Sequence, residues 1–275
     1  MKTLLASLCL LICLSSCGGK SKPYIENPYE DRMKDFTHMG VKAMHEERWK
    51  SAEHLFVRAL QMAQLLSDPS LEARAWYNDA MAWKAMGEFE KAKDALQQDL
   101  RISEYHHLTN SAKRAQIQWV LLHDGQGELP TLEKTWHADM ALSLGYVLIK
   151  QQKFQQAEYA YHYVLQHADD KKSGLLLQAR AMLGLAIVSK HIDHTKYIPW
   201  TQRALKIFRQ VGAPQKTAQT LLMMASDKHY TLKQRKNAAM RAKKIYHVLK
   251  NKHAENWAEK ILQGMAFFER GEDEK

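Results

Sequence analysis

From Asp35 onward, apolar residues recur at three- and four-residue spacing in segment after segment. That is the repeat of a helix burying one stripe, and it constrains this chain more than any other feature, since a half-buried strand needs alternation at period two. Breakers are scarce: 275 residues include 12 glycines and 6 prolines, which argues for long helices joined by short connections. Apolar residues at 45% are enough to fill a core. The segment Leu71–Leu100, LEARAWYNDAMAWKAMGEFEKAKDALQQDL, shows the unit most clearly. Trp76, Ala80 and Trp83 share one face of a first helix. Gly87 marks a tight turn, and Phe89, Ala92, Leu96 and Leu100 define a second helix. Small residues at Ala80 and Ala92 let two backbones approach, and aromatic rings fill the wider part of the wedge.

The same pattern returns along the chain. Forty residues earlier lie Phe36, Gly40, Trp49, Ala52, Phe56 and Ala59; later come Gly145, Phe154, Ala157, Tyr161, Val164 and Leu165. Ala181, Leu185 and Ala204 keep the register of a further copy in which Tyr197 replaces a small residue. Leu221 and Ala225 begin another, whose second helix falls near Lys233–Leu249, with Gln234 and Asn237 departing from the pattern. The 65 residues between Ala92 and Ala157 are not a multiple of forty. Helices over 111–124 and 131–150, split by a loop Asp124–Pro130, are therefore expected to form a degenerate, shortened unit. A last periodic helix, about Ala254–Arg270, is placed to cap the array through Trp257, Ile261, Leu262, Met265 and Phe268.

Residue by residue, Trp76, Ala80, Gly87, Phe89 and Ala92 resemble a tetratricopeptide repeat. The resemblance covers roughly residues 34–250. It implies an all-α, right-handed solenoid of helical hairpins with a C-terminal cap over 251–275. The forty-residue offset exceeds the usual repeat length and predicts longer helices or linkers.

Residues 1–16, MKTLLASLCLLICLSS, have the positively charged start and short apolar run of a signal peptide, too short for an ordinary membrane-spanning helix. Leu14-Ser15-Ser16-Cys17 resembles the lipobox of bacterial lipoproteins. In that family the cysteine is acylated, commonly with palmitate among its chains, and becomes the first mature residue. Several chains on one residue anchor firmly where a single chain is marginal. Gly18, in place of an aspartate, points by the family's sorting tendency to the outer membrane, with the protein facing the periplasm. Residues 17–33 then form the lipidated cysteine and a short tether. The three cysteines, Cys9, Cys13 and Cys17, all precede the folded part, which therefore has no disulfide and no cysteine-based zinc site.

The formal charge is +10, a balance that favours anionic partners. Basic residues are read as spread along many helices, usually near a carboxylate, giving a well-solvated basic surface. Catalytic patterns are not found. His191 and His194 in HIDH are spaced to hold a metal but have no third ligand nearby in sequence. His106 and His107 diverge on a helix, and the spacing of His162 and His167 is poor for one face. There is no HExxH, no G-x-S-x-G nucleophile motif and no phosphate loop. Neither an enzyme, a cofactor, a small-molecule substrate nor a nucleic-acid partner is expected.

In the tetratricopeptide family the groove lined by first helices takes peptides or partner helices. Carried onto this chain, the resemblance places His45, Tyr77, Met81, Lys84, Tyr146, Lys150 and Lys190 in that groove. The lysines stand where such proteins clamp carboxylates, and the tyrosines offer contact area at low entropic cost. The expected function is a membrane-anchored periplasmic adaptor that binds envelope proteins or peptides for an assembly or remodelling machine. The alternative is a structural subunit of a permanent envelope complex, binding through its convex face.

Overall fold

A computed structural model describes residues 27–273, with side chains described as far as Met265. The signal segment, Cys17 and most of the tether lie outside the described residues, as does the Phe268 side chain. The chain divides into two compact units, the first ending at Glu88 and the second beginning at Phe89. All regular structure among the described residues is helical.

The first unit contains α1 (Pro28–His45), α2 (Trp49–Leu66) and α3 (Pro69–Met86). The first helix takes in the last six residues of the expected tether, 28–33. Its start has a local cause: the Asn27 side chain accepts a hydrogen bond from the Tyr29 amide at 3.1 Å. Pro28 then opens the helix, and Glu30 and Asp31 occupy the first turn, where the helix dipole favours negative charge. The second helix packs against both α1 and α3. One cluster joins Met33, Ala59 and Ala63; another joins Ala43, Ala52, Phe56 and Ala82. Gly40 is needed for the second, because a Cβ there would come within 2.5 Å of the Phe56 ring.

The forty-residue offset has a direct explanation. The first four helices have 18, 18, 18 and 17 residues, and Glu47, Ser67, Gly87 and His107 follow them in the left-handed conformation at 20-residue intervals. Each hairpin is thus two helices of about five turns with minimal connections, not short helices with long linkers. Gly87, at φ 82°, closes α3 as the sequence pattern expects.

The second unit runs from α4 (Phe89–Tyr105) and α5 (Thr109–Leu122) to α6 (Ala138–Lys150) and α7 (Phe154–His167). It continues with α8 (Lys172–Ile192), α9 (Tyr197–Gln210), α10 (Pro214–Ser226), α11 (Leu232–Val248) and α12 (Lys252–Asp273). Consecutive helices pair as antiparallel neighbours. Its largest apolar cluster includes Ile117, Leu144, Val147, Tyr161, Val164 and Leu185. A second holds Leu205, Leu221, Ala239, Tyr246 and Met265. By length and apolarity α8 meets the measure of a membrane span, but α7 and α9 pack along it as along a core helix.

One expected helix is shorter than read from the sequence. Residues 131–137 are not helical, and α6 begins at Ala138. The intervening segment is held by its side chains instead. Trp136 is buried, Leu129 and Leu132 pack on the same core, and the Tyr163 hydroxyl reaches the carbonyls of Lys134 (2.9 Å) and Trp136 (2.8 Å). The Gln151 amide donates to the carbonyls of Gly125 and Gly127. Partners from α7 and from the residue capping α6 satisfy these backbone groups from outside, so α5 is followed by a packed loop where the pattern would place a second helix.

Candidate functional site

In the first unit, His45 is exposed in the last turn of α1. Tyr77, Met81 and Lys84 follow one another at four- and three-residue steps on α3 and are half-buried, so they share a face. Behind them Asp79 is buried, accepting a hydrogen bond from the Trp83 indole at 3.1 Å. Burial lifts its carboxyl to about 6, against the lowering effect of that bond.

In the second unit, Tyr146 is 50% exposed on α6 although its neighbours Leu144, Gly145, Val147 and Leu148 are all buried. Lys150, one turn further on, lies 3.6 Å from the Asp124 carboxylate. Lys190 is committed differently. Its amine pairs with Asp227 and lies 4.2 Å from the centroid of the Tyr197 ring. Asp227 also accepts from the backbone N–H of His229 at 2.9 Å, and its carboxylate lies 2.6 Å from that residue's Nδ1. Burial alone would raise the Asp227 pKa, but Lys190 and His229 outweigh it and hold the carboxyl well below the usual carboxylate range. Lys190 can therefore meet an external carboxylate only by leaving a buried one.

The histidines do not converge. His191 stacks on Phe154 with centroids 4.0 Å apart, whereas His194 stacks on His229 at 5.6 Å. His167 lies flat on Tyr163 at 3.8 Å, and the His162 ring meets Trp200 edge-on. Among the described residues no three His, Cys, Asp or Glu side chains are grouped to hold a metal ion.

The hairpin architecture has counterparts among solved structures. The chain aligns with the apo form of the quorum sensor NprR from B. thuringiensis over 86% of its own length and 77% of that chain, at 13% identity and a TM-score of 0.50. With a Rap protein complexed with competence and sporulation factor the shares are 86% and 75%, at 12% identity and a TM-score of 0.54. These likenesses concern the fold, which is all-α and tetratricopeptide-like. No family model matches the sequence, and no curated protein matches it.

The reading of the charge needs correction. Residues 194–254 carry 14 Lys and Arg and a single carboxylate, Asp227, while the rest of the chain has 26 basic against 29 acidic residues. The whole positive surplus therefore resides in α9, α10, α11 and their connections. Helical periodicity hides this because α9 and α11 interleave their cations with alanines and aromatics. A running sum of charge would have found it.

Proposed function

We propose that this chain is a non-enzymatic adaptor, tethered by a lipid on Cys17 to the inner face of a bacterial outer membrane. There it binds envelope proteins or peptides through the exposed faces of its first helices. The observation that carries the reading is Tyr146, a large ring held half in solvent by a helix whose adjacent positions are buried. A rigidly mounted aromatic gives contact area without an ordering cost. On α3, Tyr77, Met81 and Lys84 offer a similar mixture of aromatic, flexible apolar and cationic groups. The Rap structure, in which a chain of similar fold holds competence and sporulation factor, supports non-covalent docking as the mode. Tethering would raise the local concentration of the adaptor near membrane-bound partners.

The test is photo-crosslinking in intact membranes from positions 81 and 150, one helical turn beyond Tyr77 and Tyr146. Specific adducts that disappear in Tyr77→Ala or Tyr146→Ala variants are the expected result, and adducts no richer than those of a lipid-anchored control domain would reject the adaptor reading. The tether has its own test. Cys17→Ser should abolish acyl-lipid labelling and lipoprotein-type cleavage, and persistent labelling would reject it.

A further inference from the structure

The cationic surplus of residues 194–254 is focused on one cleft. On α9, Lys206 and Arg209 face outward in adjacent turns; on α11, Lys233 and Arg241 stand two turns apart on one face, with Asn237 between them. The floor is supplied by Leu221 and Met224 of α10. The concavity holds about 550 Å³, room for a few side chains but not for a whole helix.

Several neighbouring charges have partners of their own. Arg203 covers the Trp200 ring, and Arg235 donates to the Ala225 carbonyl at 2.9 Å. Asp227 is taken by Lys190. The α12 carboxylates Glu259 and Glu255 pair with Lys243 and His247 of α11. Lys206, Arg209, Lys233 and Arg241 meet no carboxylate among the described residues. Partial burial and the nearby Arg241 guanidinium both push the Arg209 pKa down, so the two guanidiniums repel across the cleft. Like charges facing one another over an apolar floor cost stability in the free protein. A ligand that supplies negative charge and an apolar group relieves both costs together.

We propose that this cleft is a docking site for an acidic, amphipathic segment of a partner protein. Carboxylates of the segment meet Arg209 and Arg241, while an apolar side chain enters between Leu221 and Met224. The sunken apolar floor favours a protein segment over a membrane surface or a nucleic acid, which would need only the cations. The residues that depart from the repeat pattern, Gln234 and Asn237, both line the cleft. The Gln234 Oε1 accepts from the Thr231 N–H at 2.9 Å and caps α11, while Asn237 offers an amide donor and acceptor instead of core packing. The site uses α9, α10 and α11 and none of the positions assigned to the first-helix groove other than by chain continuity, so it stands or falls separately from the adaptor reading.

The experiment uses the full-length protein in neutral detergent and a fluorescent synthetic peptide with Leu and Phe on one helical face and Glu on the other. Binding is compared with a Lys-for-Glu peptide, an Ala-for-Leu/Phe peptide, phosphatidylglycerol vesicles and a single-stranded oligonucleotide. The acidic amphipathic peptide should bind best. Arg209→Glu with Arg241→Glu should weaken it by about a hundredfold, and Met224→Gln by several-fold while leaving vesicle binding unchanged. All the substituted cations are exposed, and a circular-dichroism melt confirms that each variant is folded. Equal binding by the charge-reversed variant overturns the proposal. So does equal binding of the peptide without apolar residues, or tighter binding of vesicles or oligonucleotide than of the acidic peptide.

Discussion

Gly184 on α8 meets the ring of Tyr161 on α7 with bare backbone, and a Cβ at that position would overlap the ring's Cζ. The same ring is approached by Gly145 of α6, where a Cβ would come within 2.8 Å of Cε1. Tyr161 is thus a wedge whose seat on both neighbouring helices is made by the absence of a side chain. The pairing Gly145–Tyr161 repeats the 16-residue separation of Gly40 and Phe56, so the close contact belongs to the repeat unit itself.

Gly184→Ala should lower stability by about 1–3 kcal/mol through overpacking against this ring. In a cycle with Tyr161→Leu, the alanine should cost much less when the ring is gone. Chemical denaturation of the four proteins measures the coupling, and additivity within error would refute the contact.

Asp79 and Asp99 should make stability fall as pH rises from about 4 to about 6. Burial is the largest influence on both and lifts each carboxyl to about 6. It prevails over hydrogen bonds from Trp83 to Asp79 and from Ser103 and Ser111 to Asp99. A folded-state pKa above the unfolded one means that the folded chain binds extra protons in that window. The penalty is complete above it, on the order of 2 kcal/mol per group. Asp79→Asn and Asp99→Asn should each flatten the dependence of the melting temperature between pH 4 and 6, and an unaltered slope in both variants would contradict it.

Asp227 acts with the opposite sign. Its depressed folded-state pKa contributes stability that is present above about pH 4 and lost as the pH falls further. Asp227→Ala, which strands the Lys190 amine against Tyr197, should destabilise the second unit by roughly 2–4 kcal/mol. Asp227→Ala with Lys190→Met should recover a large part, and denaturation of the pair shows whether it does.

Tyr163→Phe should loosen the loop between α5 and α6 without disturbing the helices. The hydroxyl reaches the Lys134 and Trp136 carbonyls, and its loss should cost about 1 kcal/mol. Amide exchange should accelerate across residues 123–137 and stay unchanged in α8. Uniform acceleration throughout the unit would show that the loop is not an independent element.

The glycine and alanine positions of the repeats, and the rings of Phe56 and Tyr161, were legible because each reports a distance between backbones. By contrast Phe89, read as a wedge-filling ring, and Trp257, read as a capping contact, are 53% and 56% exposed. Gly40, Ala52 and Phe56, or Gly145, Ala157 and Tyr161, have the sizes that a close helix pair requires, and all six are buried as a set. The segment 131–137 was not legible. Leu132 and Trp136 lie four apart and mimic a helix face, and only Tyr163, 27 residues beyond Trp136, reveals that the backbone is held from outside. Lys190 was read by register as a groove lysine. Its partner Asp227 lies 37 residues away, and no local pattern ties the two.

By itself, the sequence determined that this chain is helical, that its helices turn back every twenty residues over the first hairpins, and where small residues must face large ones. Those properties follow from local periodicity and from backbone freedom at single positions such as Gly87. The tertiary structure decided which charges are spent internally and which are left to a partner. Lys190 and Lys243 look no different in sequence from Lys206 and Lys233. Only the tertiary fold, which brings Asp227 at the end of α10 to Lys190 on α8 and packs α11 beside α12, gives the first two a carboxylate, because an ion pair is set by distance in space.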